Sequence, residues 1–97
     1  MPKYVVLINW TEKGVQAAKD TTARAEQARQ LAEQMGGSVE QLLWTLGRYD
    51  LVGVYDMPSD EAIAALALKV AAGGAVRTEC LRAFTADEVE GIVAGLG

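Results

Sequence analysis

WTLGRYDLVGVY, residues 44–55, sets two runs of aromatic and branched residues on either side of Gly47-Arg48. Such runs are strand formers, and two residues between them are the commonest hairpin connection. Gly47 suits a type II′ turn, whose first central position needs a positive φ. That turn places Leu46 opposite Tyr49, Thr45 opposite Asp50 and Trp44 opposite Leu51, with strands over 38–46 and 49–56. A hydroxyl–carboxylate bond from Thr45 to Asp50 would then clasp the hairpin.

Upstream, KYVVLIN (3–9) is a β-branched run, apolar on both alternating faces: Tyr4, Val6 and Ile8 on one, Val5 and Leu7 on the other. It reads as the first strand, not as a secretory leader, because it is short and no small-residue cleavage site follows. WTEKGVQAAKD predicts a short helix opened by Thr11 as N-cap, with Glu12 in its first turn. A second cap at Thr21-Thr22 precedes a helix in which Ala28, Leu31, Ala32 and Met35 keep helical spacing, ended by Gly36-Gly37. The helical region is one kinked helix or two.

Downstream, Pro58-Ser59 stops the third strand, and Ser59 caps a helix with Asp60 and Glu61 in its first turn. Between Ala62 and Ala72 that helix has Lys69 as its only polar residue, so it is apolar nearly all round. After Gly73-Gly74, AVRTECLRAF makes a fourth, more polar strand. Thr85 and Glu88 form a capping box, and Val89, Ile92, Val93 and Leu96 stripe one face of a final helix. The order strand, helix, strand, strand, helix, strand, helix fits the split βαβ arrangement: one antiparallel sheet with helices on one face.

With 97 residues the chain reads as one domain, whose size leaves much of its surface unburied. Strands one and three are apolar on both faces: Leu51 and Tyr55 oppose Val52 and Val54 along the third. Helices cover one face only, so the other predicts a homodimer whose sheets share an interior. The rival arrangement folds the final helix over the open face.

A net charge of −4 with scattered basic residues argues against nucleic acid and against a membrane surface. No apolar stretch approaches the roughly 18 residues a spanning helix needs. The chain has no histidine and one cysteine. That removes imidazole bases, Ser-His and Cys-His nucleophile pairs and His-ligated metals, so no metal or cofactor is expected. The lone Cys80 fits a reducing cytoplasm and reads as a small buried hydrophobe.

INWT (8–11), WTLGRYD (44–50) and VRTECLRAF (76–84) together resemble the GYD-domain family, over Lys3 to about Ile92. The resemblance implies an α+β, ferredoxin-like βαββαβ domain with an extra C-terminal helix, assembled as a dimeric α/β barrel. It implies no catalytic residues, and the histidine-dependent chemistries of the wider barrel group do not transfer.

Tyr49, Asp50, Arg77 and Glu79 are the candidate catalytic groups. Arg77 would hold a small carboxylate or enolate and a carboxylate would move a proton. Asn9, Trp10, Thr45 and Arg48 are the candidate ligand-binding residues. Each has a structural reading that the sequence favours. Gly47-Arg48 is a turn, Arg48 pairs with a carboxylate of a partner chain, and Trp10 is a buried hinge beside the capping Thr11. The charges of strand four protect an edge. The functional expectation is a small organic molecule held in an apolar, sheet-lined cavity, with metal-free isomerase- or monooxygenase-like chemistry open to it. The alternative is an oligomerisation or regulatory module whose interior is filled by side chains such as Trp44, Leu51 and Tyr55.

Overall fold

The computed structural model describes all 97 residues. Strand β1 (Lys3–Trp10) leads through a short helix α1 (Glu12–Gln16) and a 3-10 turn (Ala18–Asp20) into α2 (Thr21–Gln34). β2 (Ser38–Trp44) and β3 (Leu51–Asp56) follow, then α3 (Asp60–Ala72), β4 (Val76–Ala83) and α4 (Ala86–Ala94). The sheet is antiparallel in the order β2-β3-β1-β4, the expected ferredoxin-like arrangement with β4 at an edge. No helix is long and apolar enough to cross a membrane.

Register assigns the faces. Tyr4 stands opposite Tyr55, Val6 opposite Gly53 and Ile8 opposite Leu51. These residues are all buried beneath the helices, with Ala32 of α2 and Ile63 and Leu66 of α3. α2 packs over β2 and α3 over β4, and the two helices touch each other along only a short stretch. Thr11 and Ser59 cap α1 and α3 as expected, accepting from the amides of Gly14 and Ala62. The capping box of Thr85 and Glu88 closes the start of α4. The outer side of α3 is mostly alanine, leaving Leu68 as its one strongly exposed large apolar residue, so this helix by itself calls for no second cover.

α4 does not fold over the open face of the sheet. None of its residues is buried, and Val89, Ile92 and Val93 are 42%, 52% and 56% exposed.

Local expectations are corrected at the start of α2 and at the hairpin, and β2 carries a bulge that the sequence did not announce. Thr21 and Thr22 do not cap α2, whose N-cap position is Asp20 without a side-chain bond. The Thr21 hydroxyl instead accepts from the Trp44 indole Nε1 at 3.0 Å. A bulge between Val39 and Gln41 inserts Glu40 as an extra residue, which lets Val39, Leu42 and Trp44 all face the helices despite their odd spacing. The hairpin connection is six residues, 45–50, not two: Trp44 opposes Leu51 as expected, but Leu46 and Tyr49 do not pair. Gly47 does take a positive φ, +102°.

Asp50 accounts for the longer loop. Its amide donates to the Ile8 carbonyl at 2.9 Å, its carbonyl accepts from Thr45 N at 2.9 Å, and its carboxylate accepts from Trp10 N at 2.8 Å. It therefore ties the ends of β1 and β2 together. The expected Thr45–Asp50 side-chain clasp does not form; the Thr45 hydroxyl donates to the Tyr49 carbonyl at 2.6 Å. α1 is seated beside this corner, with Thr11 N donating to the Ala75 carbonyl at 3.0 Å. Gly14 permits the close approach, since a Cβ there would lie 2.0 Å from that same oxygen.

Removing the Asp50 carboxylate strands the Trp10 amide at a half-buried strand end. Asp50→Ala is expected to lower stability by about 1.5–3 kcal/mol in urea unfolding, because the bond is charge-assisted. Asp50→Asn keeps an acceptor and should lose less. A loss below about 0.5 kcal/mol for the alanine variant, the scale of an ordinary surface change, would contradict the tie.

Burial, and then the hydrogen bond it donates to Asp60, push the Tyr4 phenol up to about 12, and burial pushes Tyr55 up to about 12 as well. A phenol with a raised folded pKa holds its proton more tightly folded than unfolded. Its contribution is complete below the ordinary value of 10.0 and is lost as pH rises through about 12. Phenolate absorbance from Tyr4 and Tyr55 is expected to emerge near pH 12 together with loss of near-UV dichroism. Ionisation of both near pH 10 in an intact fold would contradict their placement.

Candidate functional site

The eight candidate residues cluster at the hairpin end of the sheet but divide between its two faces. On the open face, away from the helices, β1 presents Val5, Leu7 and Asn9, and β3 presents Val52 and Val54. Beside β1, the edge strand β4 places Leu81 next to Val5, Glu79 next to Leu7 and Arg77 next to Asn9. Leu43 of β2 completes the apolar strip opposite Val52. Leu43 and Leu81 are 53% and 43% exposed.

The 45–50 loop reaches over this face. The Tyr49 hydroxyl donates to Glu79 Oε1 at 3.2 Å, and the Arg48 guanidinium lies 5.7 Å from the centre of the Tyr49 ring. Arg77 and Asn9 neighbour Glu79 along the same face. A phenol, a carboxylate, a guanidinium and an amide thus meet at one end of an apolar strip. This polar end can bind a charged or enolisable group while the strip takes a carbon skeleton.

Asp50 is not among them, because its carboxylate serves the Trp10 amide. Thr45 is likewise occupied by the loop backbone. Leu51, Tyr55 and Trp44 face the helices, so none of them is available to fill a space on the open side.

Trp10 belongs to the opposite face. It packs against the core, half-buried, and its Nε1 is the one buried side-chain nitrogen or oxygen with no hydrogen-bond partner. It borders a cavity of about 260 Å³ between the sheet and helices α2 and α3. Leu31, Leu51, Leu66 and Val70 give that cavity its apolar walls, and Arg24 and Lys69 bring charge to it. Cys80 also lines it. The expectation of a buried cysteine is corrected: Cys80 sits on the edge strand and is exposed. Partial burial still pushes this thiol up from its ordinary value.

Arg24 and Lys69 were missed by reading for motifs. Helical spacing held the signal: Arg24 stands four residues before Ala28 on the inward stripe of α2, and Lys69 interrupts an otherwise apolar α3 next to Val70. Nowhere do three cysteine, aspartate or glutamate side chains converge as a metal-binding group.

Solved structures share this fold, two of them as follows. The leucine response regulatory protein LrpA of Mycobacterium tuberculosis superposes with a TM-score of 0.61 at 18% identity, over 87% of this chain and 51% of that one. The chain thus spans about half the length of that regulator. TTHA0845 from Thermus thermophilus matches with a TM-score of 0.56 at 23% identity, over 89% of this chain and 96% of that one. At these identities the likeness is one of fold. No curated protein matches by sequence. The GYD-domain model matches residues 4–93, nearly the whole chain, and the protein belongs to the GYD-domain family.

Proposed function

We propose that the protein works as a homodimer, with the open faces of two sheets packed together, and binds a small organic molecule in the space they enclose. The observation that carries this reading is the uncovered strip of Val5, Leu7, Leu43, Val52, Val54 and Leu81, which ends in the Tyr49–Glu79 pair. Each such side chain gains roughly 1.5–3 kcal/mol when fully withdrawn from water. A helix of the same chain does not supply the cover, since α4 projects away with its apolar stripe exposed. A second copy supplies it symmetrically, and the exposed stripe of α4 adds to the area available for association.

In that space Arg77 and Asn9 would orient a carbonyl or carboxylate, and Glu79, held by Tyr49, would be the proton acceptor. The chemistry this set suits is isomerisation: Glu79 would remove a proton from the carbon between a carbonyl and a carbon–carbon double bond, the resulting dienolate would rest against Arg77, and the proton would return to the far carbon of the dienolate as the double bond moves into conjugation with the carbonyl. The exposed, unpaired Cys80 accords with a reducing compartment, and we assign the protein to the cytoplasm.

Sedimentation equilibrium and native mass spectrometry test this. The wild type is expected as a dimer carrying excess mass that Glu79→Gln or Arg77→Gln reduces, and Val54→Arg is expected to give a folded monomer. A dimer of bare sequence mass that gains nothing from cell extract would favour the oligomerisation module with a filled interior. A wild-type monomer at tens of micromolar would contradict the assembly itself.

A further inference from the structure

The cavity on the helix side is complete within one chain and separate from the sheet face, so it goes beyond the reading above. Its geometry follows from the topology. α2 follows β1 and α3 follows β3, and those strands are antiparallel, so the two helices run in opposite directions along the sheet. The first turn of α2 and the last turn of α3 therefore lie at the same end, where β1 finishes with Trp10 and β4 starts with Val76. Arg24 is in that first turn and Lys69 in that last turn, and both line the cavity.

The charge balance there is unlike that of the whole molecule. The chain has 13 acidic and 9 basic residues, yet no aspartate or glutamate lines this cavity. Neither Arg24 nor Lys69 takes part in an ion pair. Arg24 is held in place by the Ala17 carbonyl, to which its Nη1 donates at 2.8 Å. A guanidinium fixed by neutral carbonyls keeps its charge free for an anion, and its fork matches a carboxylate. Glu12 and Asp20, on the segment between β1 and α2, neither pair with it nor reach the cavity. Beyond the two cations the walls are mostly apolar, with Thr21, Gln27 and Thr78 the uncharged polar residues among them, and Trp10 adds an indole whose N–H has no acceptor.

We propose that this cavity is a binding site for a small monocarboxylate with an apolar tail. The carboxylate lies at the Arg24–Lys69 end, and the tail lies between α2 and α3 against Leu31, Leu66 and Val70. At the packing density of protein interiors, 260 Å³ holds on the order of ten non-hydrogen atoms. Octanoate is a probe of that size.

Titration of the wild-type protein with octanoate, followed by calorimetry, is expected to show one site per chain. 1-Octanol, with the same tail and no charge, should bind at least about tenfold more weakly. Arg24→Gln is expected to weaken octanoate about tenfold and leave octanol unchanged. Lys69→Gln, whose side chain anchors no backbone, should act in the same direction and serves if the arginine variant does not fold. Octanoate should also slow modification of Cys80 by an aromatic disulfide reagent in the unaltered protein, because that thiol lines the cavity. The monomer expected from Val54→Arg should bind octanoate as the wild type does, which separates this site from the sheet face. Equal affinity for octanoate and octanol, absence of saturable binding, or an unprotected Cys80 would each overturn the proposal.

Discussion

β1 and β3 form the centre of the sheet, and both are apolar on both faces, while every helix packed on the sheet lies on one side of it. Tyr4, Val6 and Ile8 are satisfied by α2 and α3, whereas Val5, Leu7, Val52 and Val54 look out on the other side. A soluble chain seldom leaves such a strip uncovered. The geometry of the protein follows from that imbalance. One face is an ordinary two-layer core; the other is a surface whose energetic cost falls when another surface of the same character meets it. The reading of the molecule as a dimer rests on this asymmetry, and the exposed stripe of α4 is in keeping with it.

The second organising feature is the hairpin end, where Asp50 binds β1 and β2 with backbone and side chain at once. Because the loop is anchored through Asp50, Tyr49 is free to cross above β1 and meet Glu79 on β4. The same anchor holds the start of α1, and through Thr11 the segment before β4. Tyr and Asp at adjacent positions thus do different work. The carboxylate stabilises the corner and the phenol is presented to the open face. Two structural tasks divide between neighbouring residues, which explains why they could not be told apart from their side-chain types.

Much of the fold was legible because its signals are local. Ser59, Thr85 and Thr11 announced their helices, and the two-sided pattern of 3–9 announced a central strand. The parts that were not legible depend on contacts distant in sequence. Thr21 looks like a cap, but its hydroxyl is used by Trp44, 23 residues away. The Thr45–Asp50 pair looks like a hairpin clasp, but the Asp50 carboxylate is claimed by Trp10, 40 residues away. The bulge at Glu40 breaks the period-two pattern of β2, and Lys3 of β1 holds that residue with a 2.6 Å ion pair. Of the candidate site, the Tyr49–Glu79–Arg77 group was foreseeable from a four-stranded order that puts β4 beside β1. The helix-side cavity was not, since its existence depends on how far α2 and α3 stand apart.

The central claim is that the open face of the sheet is covered by a second copy of the same face. Isotope-filtered nuclear Overhauser spectroscopy on a one-to-one mixture of ¹³C-labelled and unlabelled protein addresses it directly. The account predicts cross-peaks between chains from the methyl groups of Val5, Leu7, Val52 and Val54. Inter-chain peaks confined to α4, or none at all with these methyls open to a soluble paramagnetic probe, would contradict it.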